Sequence, residues 1–247
     1  MSPRFLAEMT WEEVREAAGA ELVAVLPVGA VEAHGPHLPI GTDVIIAEAM
    51  AAACADELER RGGRAVVLPP VWYTAAGFAH NFPGTVGVDG DTVTALVRQI
   101  SDSLRQQEIT TLAIANAHLD PAHLASLRAA ASEPPAGCRI VFLDLTRRRV
   151  AERLTDEFRT GACHAGRFEG SIVRAVEPGL YREAIADSLT PNPSSLSDAI
   201  REGHMTFEEA GGPEAYFGWP AEATAEEGHE TIRTLGTLLA DAVEESS

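Results

Sequence analysis

The chain has 247 residues, an ordinary globular composition and a formal net charge of −18. That acidic balance argues against a nucleic-acid or anionic-membrane partner, because phosphates would be repelled. No lysine occurs, so Schiff-base, pyridoxal-phosphate and P-loop chemistries are excluded with it.

The length suits one domain, taken as 1–247, able to bury a sizeable core. No run is long or apolar enough to span a membrane, and no signal-peptide pattern opens the sequence. The three cysteines, Cys54, Cys138 and Cys163, lack metal-finger spacing and fit a reducing cytoplasm. The acidic stretch after Asp198 reads as a solvated face.

Residues 10–18 predict a first helix, opened by a capping box between Thr10 and Glu13. Residues 22–28 are a continuous apolar run of strand length, as in a strand buried on both faces. A Gly/Pro-rich loop follows, carrying Glu32, His34 and His37. Residues 43–61 predict an alanine-rich helix, closed by Gly62 and Gly63. A second strand is expected over 64–68, stopped by Pro69 and Pro70. Residues 71–88 form a long loop with Trp72, Tyr73, His80 and the run from Asn81 to Thr85; such loops are often functional. Asp89 or Asp91 caps a helix reaching about Gln107.

Residues 111–115 predict a third buried strand, with Asn116, His118 and Asp120 at its end. Pro121 opens the next helix. A fourth strand is expected over 139–143 and one further helix over 146–159. Residues 161–171 form a glycine-flanked loop that enters a helix and holds His164 and Glu169. Residues 177–219 are irregular, and a closing helix covers 221–243. Strands alternating with helices predict an α/β fold with a parallel or mostly parallel sheet and helices on both faces.

In such sheets ligands bind beyond the carboxyl ends of the strands. Glu32 with His34, and His118 with Asp120, each follow a strand directly, so both pairs fall on one edge. Carboxylate and imidazole donors without cysteine suit Zn, Mn or Fe. Glu32, His34, Asp43 and His118 are therefore candidate metal ligands. Asp43 can also cap its helix, and as a central carboxylate it can bridge two ions. Asp120, before Pro121, reads first as an N-cap. His164 is a candidate general acid or base. Glu169 reads as a first-turn carboxylate favoured by the helix dipole. A thiol nucleophile at Cys163 is disfavoured, because residues adjacent in sequence rarely align as nucleophile and base.

These segments resemble the creatininase (creatinine amidohydrolase) family. The resemblance rests on Glu32-x-His34-Gly-Pro-His-Leu-Pro-x-Gly-Thr-Asp43, Phe82-Pro-Gly-Thr85, Asn116-x-His118 and His164-Ala-Gly-x-x-Glu169-x-Ser171. It implies a three-layer α/β/α fold, two divalent metal ions (Zn, Mn or Fe) and a homo-oligomer, hexameric in the family. It also implies hydrolysis of C–N bonds other than peptide bonds, in a small and possibly cyclic amide, by metal-bound hydroxide. Residue by residue, it implies that Glu32 and His118 bind one metal and His34 the other, with Asp43 between them. Asp120 stands where creatininase has a glutamate ligand of the second metal. His164 matches the proton-transfer histidine, and Glu169 an acidic position beside the site that binds metal or holds a ligand; either Asp120 or Glu169 is left to complete the second metal site. His37, Tyr73, His80 and Phe82 are expected to line the substrate pocket.

The chain also departs from the family pattern. It reads Asn116-Ala-His-Leu-Asp-Pro121 where glycines are usual. Thr160 and Gly161 replace a Trp–Asp pair, and Gly170 replaces a threonine. The expectation is a retained metal chemistry with a re-cut pocket. The alternatives are a metal-dependent lyase, isomerase or ring-closing enzyme on a biosynthetic intermediate, and a non-catalytic, metal-stabilised interaction protein.

Overall fold

A computed structural model describes residues 5–245. Four parallel strands, β1 (Leu22–Val28), β2 (Arg64–Val67), β3 (Thr111–Asn116) and β4 (Arg139–Phe142), form one sheet in the order β2-β1-β3-β4. The crossover from β2 to β3 passes over β1, so the topological switch lies between β1 and β3. There Val28 pairs with Asn116 at the carboxyl ends.

Alternation along the strands feeds two cores. Ala24, Leu26 and Val28 of β1, with Leu112 and Ile114 of β3, face one side. That side is covered by α3 (Gly90–Arg105) and α4 (Pro121–Ser132). Val25, Ala113 and Ala115 face the other. Here α2 (Thr42–Arg60), α7 (Arg167–Val176) and α10 (Ala225–Glu245) pack together. Both faces of the sheet are buried, giving the expected α/β/α layering. No helix among the described residues is long and apolar enough to cross a membrane.

The N-terminal helix α1 (Trp11–Ala17) has the predicted capping box from Thr10 to Glu13. The helix expected over 146–159 is instead two short ones, α5 (Arg148–Ala151) and α6 (Asp156–Thr160). Thr155 breaks the run by accepting from the Phe158 N–H and starting a new helix. The span 177–219 is less irregular than expected, since it contains α8 (Glu183–Ala186) and α9 (Leu196–Glu202).

Candidate metal centre

The loop after β1 is fixed by its own backbone and by the long loop opposite. The Glu32 N–H donates to the Ile40 carbonyl at 3.0 Å, and the Ala33 N–H to the Thr85 hydroxyl at 3.2 Å. Glu32 and His34 are thus presented from a braced segment. Gly29 lets this loop run against the start of α2, where a Cβ would stand 2.5 Å from the Val44 nitrogen. That approach brings Asp43, in the first turn of α2, beside them. Asp43 does not cap the helix: the N-cap is Gly41.

Glu32, His34, Asp43, His118, His164 and Glu169 converge, and none is more than 6% exposed. The two oxygens of Asp43 face different partners. Oδ1 lies 3.2 Å from His34 Nε2, and Oδ2 lies 3.0 Å from His118 Nδ1. Glu32 Oε1 is 3.2 Å from His118 Nδ1, and Glu169 Oε2 is 3.6 Å from His34 Nε2. Two groups of potential ligands therefore share Asp43: Glu32, Asp43 and His118, and His34, Asp43 and Glu169.

Each histidine ties one ring nitrogen to a backbone carbonyl and turns the other inward. His34 Nδ1 donates to the Glu32 carbonyl, His118 Nε2 to the Ala75 carbonyl and His164 Nε2 to the Ala33 carbonyl. A carbonyl only accepts, so the nitrogen facing it carries a proton and the inward nitrogen is the one that can offer a lone pair to a cation. This is the arrangement metal-binding imidazoles require. Glu32 Oε2, His34 Nε2 and Asp43 Oδ2 are buried without an aligned hydrogen-bond partner. Buried polar atoms are normally satisfied, and a cation at the centre would satisfy all three.

The electrostatics also call for positive charge. Burial alone would push the His34 pKa down, but the Asp43, Glu169 and Glu32 carboxylates outweigh it and hold His34 at about 10. Burial opposes ionisation of Asp43, yet His34 and His118 hold it well below the usual carboxylate range. Burial pushes Glu169 up to about 8, with the Asp43 and Glu32 charges adding to the shift against His34. His164 is pushed well below its ordinary value by burial and by His34, so its inward Nδ1 is unprotonated. That nitrogen lies 3.9 Å from Glu32 Oε1. Burial pushes the Cys163 thiol up to about 12, which leaves it a poor nucleophile at neutral pH.

Asp120 borders the cavity but stands outside both groups of potential ligands. Its Oδ1 accepts from the Ala122 and His123 N–H groups, and its Oδ2 from the Phe78 N–H. Both oxygens serve as cap and tether, and Glu169 stands where the second ligand group needs a carboxylate. The four expected pocket residues do not line the cavity at the cluster. His37 is buried edge-on to Tyr181 and Tyr216. Tyr73 is exposed, His80 is exposed with Nδ1 on the Gly77 carbonyl, and Phe82 packs on Phe207. The cavity is instead walled by Phe78, Leu119, Cys163, Leu196, Ile200 and Phe207 beside the cluster. Phe207 stacks on the His164 ring at 4.2 Å.

Two supports were not foreseen from the sequence. Asn116 at the end of β3 donates to the His118 carbonyl and accepts from His123 Nε2. Glu157 of α6 is buried and accepts from three backbone donors: Arg167 and Trp219 at Oε1, both 2.8 Å, and Phe168 at Oε2, 2.5 Å. It joins the start of α7, which carries Glu169, to the segment at Phe217–Trp219. Gly166 and Gly218 make room for it, since a Cβ at either would collide with its carboxylate. Just before Gly166, Ala165 adopts a left-handed φ of +51° and donates to Glu169 Oε2 at 2.6 Å. A non-glycine residue in this region is uncommon, and here it turns His164 and Glu169 to the same side.

A family model described as creatinine amidohydrolase matches residues 7–243. A creatinine amidohydrolase of Pseudomonas putida is 37% identical over 123 residues, covering 47% of this chain and 45% of the relative. That match thus spans less than half of the relative's length. A mycofactocin precursor peptide peptidase of Mycolicibacterium smegmatis is 28% identical over 90% of this chain and 84% of its own. The crystal structure of a creatinine amidohydrolase superposes with a TM-score of 0.76 at 25% identity, covering 100% of this chain and 98% of that one. Related creatininase structures include a Mn form and a Zn–Zn form.

Proposed function

The chain belongs to the creatininase family of hydrolases, and on that premise we propose that it hydrolyses a C–N amide bond with two divalent cations held by Glu32, His34, Asp43, His118 and Glu169. The observation that carries this reading is the shared carboxylate. The two oxygens of Asp43 serve two separate ligand groups, and both groups contain buried atoms with no other partner. Mn and Zn, named for the solved creatininases, both accept such donors.

Bound divalent cations polarise a carbonyl and bring the pKa of water towards neutrality. The protein's own groups do the rest. Glu32, Asp43 and Glu169 supply the compensating negative charge in a site closed to solvent, where electrostatic interactions are strengthened. His164, anchored through Nε2 on the Ala33 carbonyl and stacked on Phe207, keeps Nδ1 free to hold a proton and pass it to the departing nitrogen. The apolar wall excludes bulk water.

The substrate is an amide other than creatinine. Peptide-derived amides fall within the proposal, because the relatives matched over most of the chain are peptide peptidases. The same reading includes a homo-oligomer. Ile40, Trp72, Tyr73 and Val86 leave apolar surface exposed, and a second copy of the chain would cover it.

Product analysis in oxygen-18 water tests the reaction class. Hydrolysis puts one solvent oxygen into a new carboxylate. A product without label would overturn the assignment.

A further inference from the structure

The space at the metal centre is small. The inner cavity is about 70 Å³, room for a small reacting group, since about 10–15 Å³ of such space holds one water. Leu119, Pro121, Thr146, Cys163, Ser197 and Ile200 line both this cavity and a second, broader one of about 720 Å³. The two adjoin across these shared residues, and the second stands as an outer vestibule. This adjoining space has room for the remainder of a larger substrate.

The vestibule reverses the charge of the molecule. The chain carries −18 overall, yet the vestibule is lined by Arg128, Arg148, Arg159 and Arg201 against only Glu152 and Asp198. Three of these arginines already have carboxylate partners. Arg128 bonds Asp144 at 2.8 Å, Arg148 bonds Glu152 at 2.7 Å and Arg201 bonds Asp198 at 2.6 Å. Arg159, exposed at the end of α6, has no ion-pair or hydrogen-bond partner for its guanidinium among the described residues. Its helix leads directly into the loop carrying His164. One uncompensated guanidinium faces the approach to the site.

We infer that the substrate carries a carboxylate on the part distal to the scissile amide and that Arg159 receives it. This inference rests on the proposed metal-dependent amide hydrolysis. Arginine's planar fork matches a carboxylate in a two-bonded geometry. A single unpaired positive charge calls for a single negative one. The same charge favours entry of an anion that the acidic surface elsewhere repels.

The test is calorimetric binding to the zinc-loaded protein, which does not depend on turnover. The probes are monohydroxamates of the dicarboxylic acids from malonic to suberic, each paired with its monoamide as the neutral match. The hydroxamate addresses the metal centre and chain length measures the reach to Arg159. At the best length the carboxylate form should bind about tenfold more tightly than its neutral match, the scale of one charge-assisted hydrogen-bonded pair. Arg159→Ala should remove that preference and leave the neutral probe unaffected. Arg15→Ala, on α1 outside the vestibule, changes net charge equally and should keep it. Equal binding of both forms at every length, or a preference that survives in Arg159→Ala, overturns the inference while leaving the metal centre standing. Failure of every hydroxamate to bind overturns the metal-centre reading and the inference with it.

Discussion

Glu157 offers the sharpest test of how the loop carrying His164 and the start of α7 are held. Replacing it with alanine leaves the N–H groups of Arg167, Phe168 and Trp219 without their acceptor. Each buried donor left unpaired costs about 1–3 kcal/mol. Part of that sum is returned, because burial already disfavours the Glu157 carboxylate and raises its pKa. A net loss of roughly 3–5 kcal/mol remains. For a chain of this size that lowers Tm by roughly 6–20 °C. Glu157→Gln keeps the oxygen facing Arg167 and Trp219 but turns an NH2 group towards the Phe168 N–H, and should lose about 1–2 kcal/mol. Denaturant and thermal unfolding of the two variants, with metal content measured on the folded protein, checks this. The ordering wild type, Gln, Ala is required. An Ala variant within about 1 kcal/mol of wild type would show that the three donors find other partners and that Glu157 does not hold α7 in place.

Asp43→Asn should lower metal content more than His164→Ala does, while both abolish turnover; equal metal loss in the two contradicts the division between ligand and proton carrier. Glu169→Gln should reduce bound metal, whereas Asp120→Ala should keep it and lose roughly 2–4 kcal/mol of stability through the lost cap and the unpaired Phe78 N–H; metal loss in the Asp120 variant alone would restore it as the ligand. Asp144 supplies a pH test. Burial opposes its ionisation, but the Thr146 hydroxyl and the Arg128 guanidinium hold its pKa below the ordinary value. Its folded-state pKa is therefore depressed, so its stabilisation is present above about pH 4 and is lost as pH falls through the folded value. Asp144→Asn should be destabilised at neutral pH, and its gap to wild type should close in acid; a gap of constant size across the titration refutes the assignment.

Much of the candidate ligand cluster was legible because the chain writes it where topology puts it. Glu32, His34 and His118 follow strands β1 and β3, whose carboxyl ends are neighbours, and alternating strands and helices announced the sheet. Asp120 was harder. An aspartate before a proline reads alike as a helix cap and as a ligand, and the hydrogen bonds from Phe78, Ala122 and His123 establish the cap. Glu169 was visible as a first-turn carboxylate, but its approach to His34 depends on the left-handed turn at Ala165. Glu157 left no periodic signal, because its partners are backbone donors far along the chain. The glycines at 166 and 218 mark its place only once the fold is known. The split of one expected helix into α5 and α6 shows the same limit, since Thr155 capped locally where apolar spacing alone ran on.

The central claim is that Asp43 stands between two cations. Anomalous-scattering maps from crystals of untreated protein, with metal analysis of the same sample, test it most directly. The account predicts two peaks per chain on opposite sides of the Asp43 carboxylate, one beside Glu32 and His118 and the other beside His34 and Glu169. A single peak, or peaks away from Asp43, would contradict it.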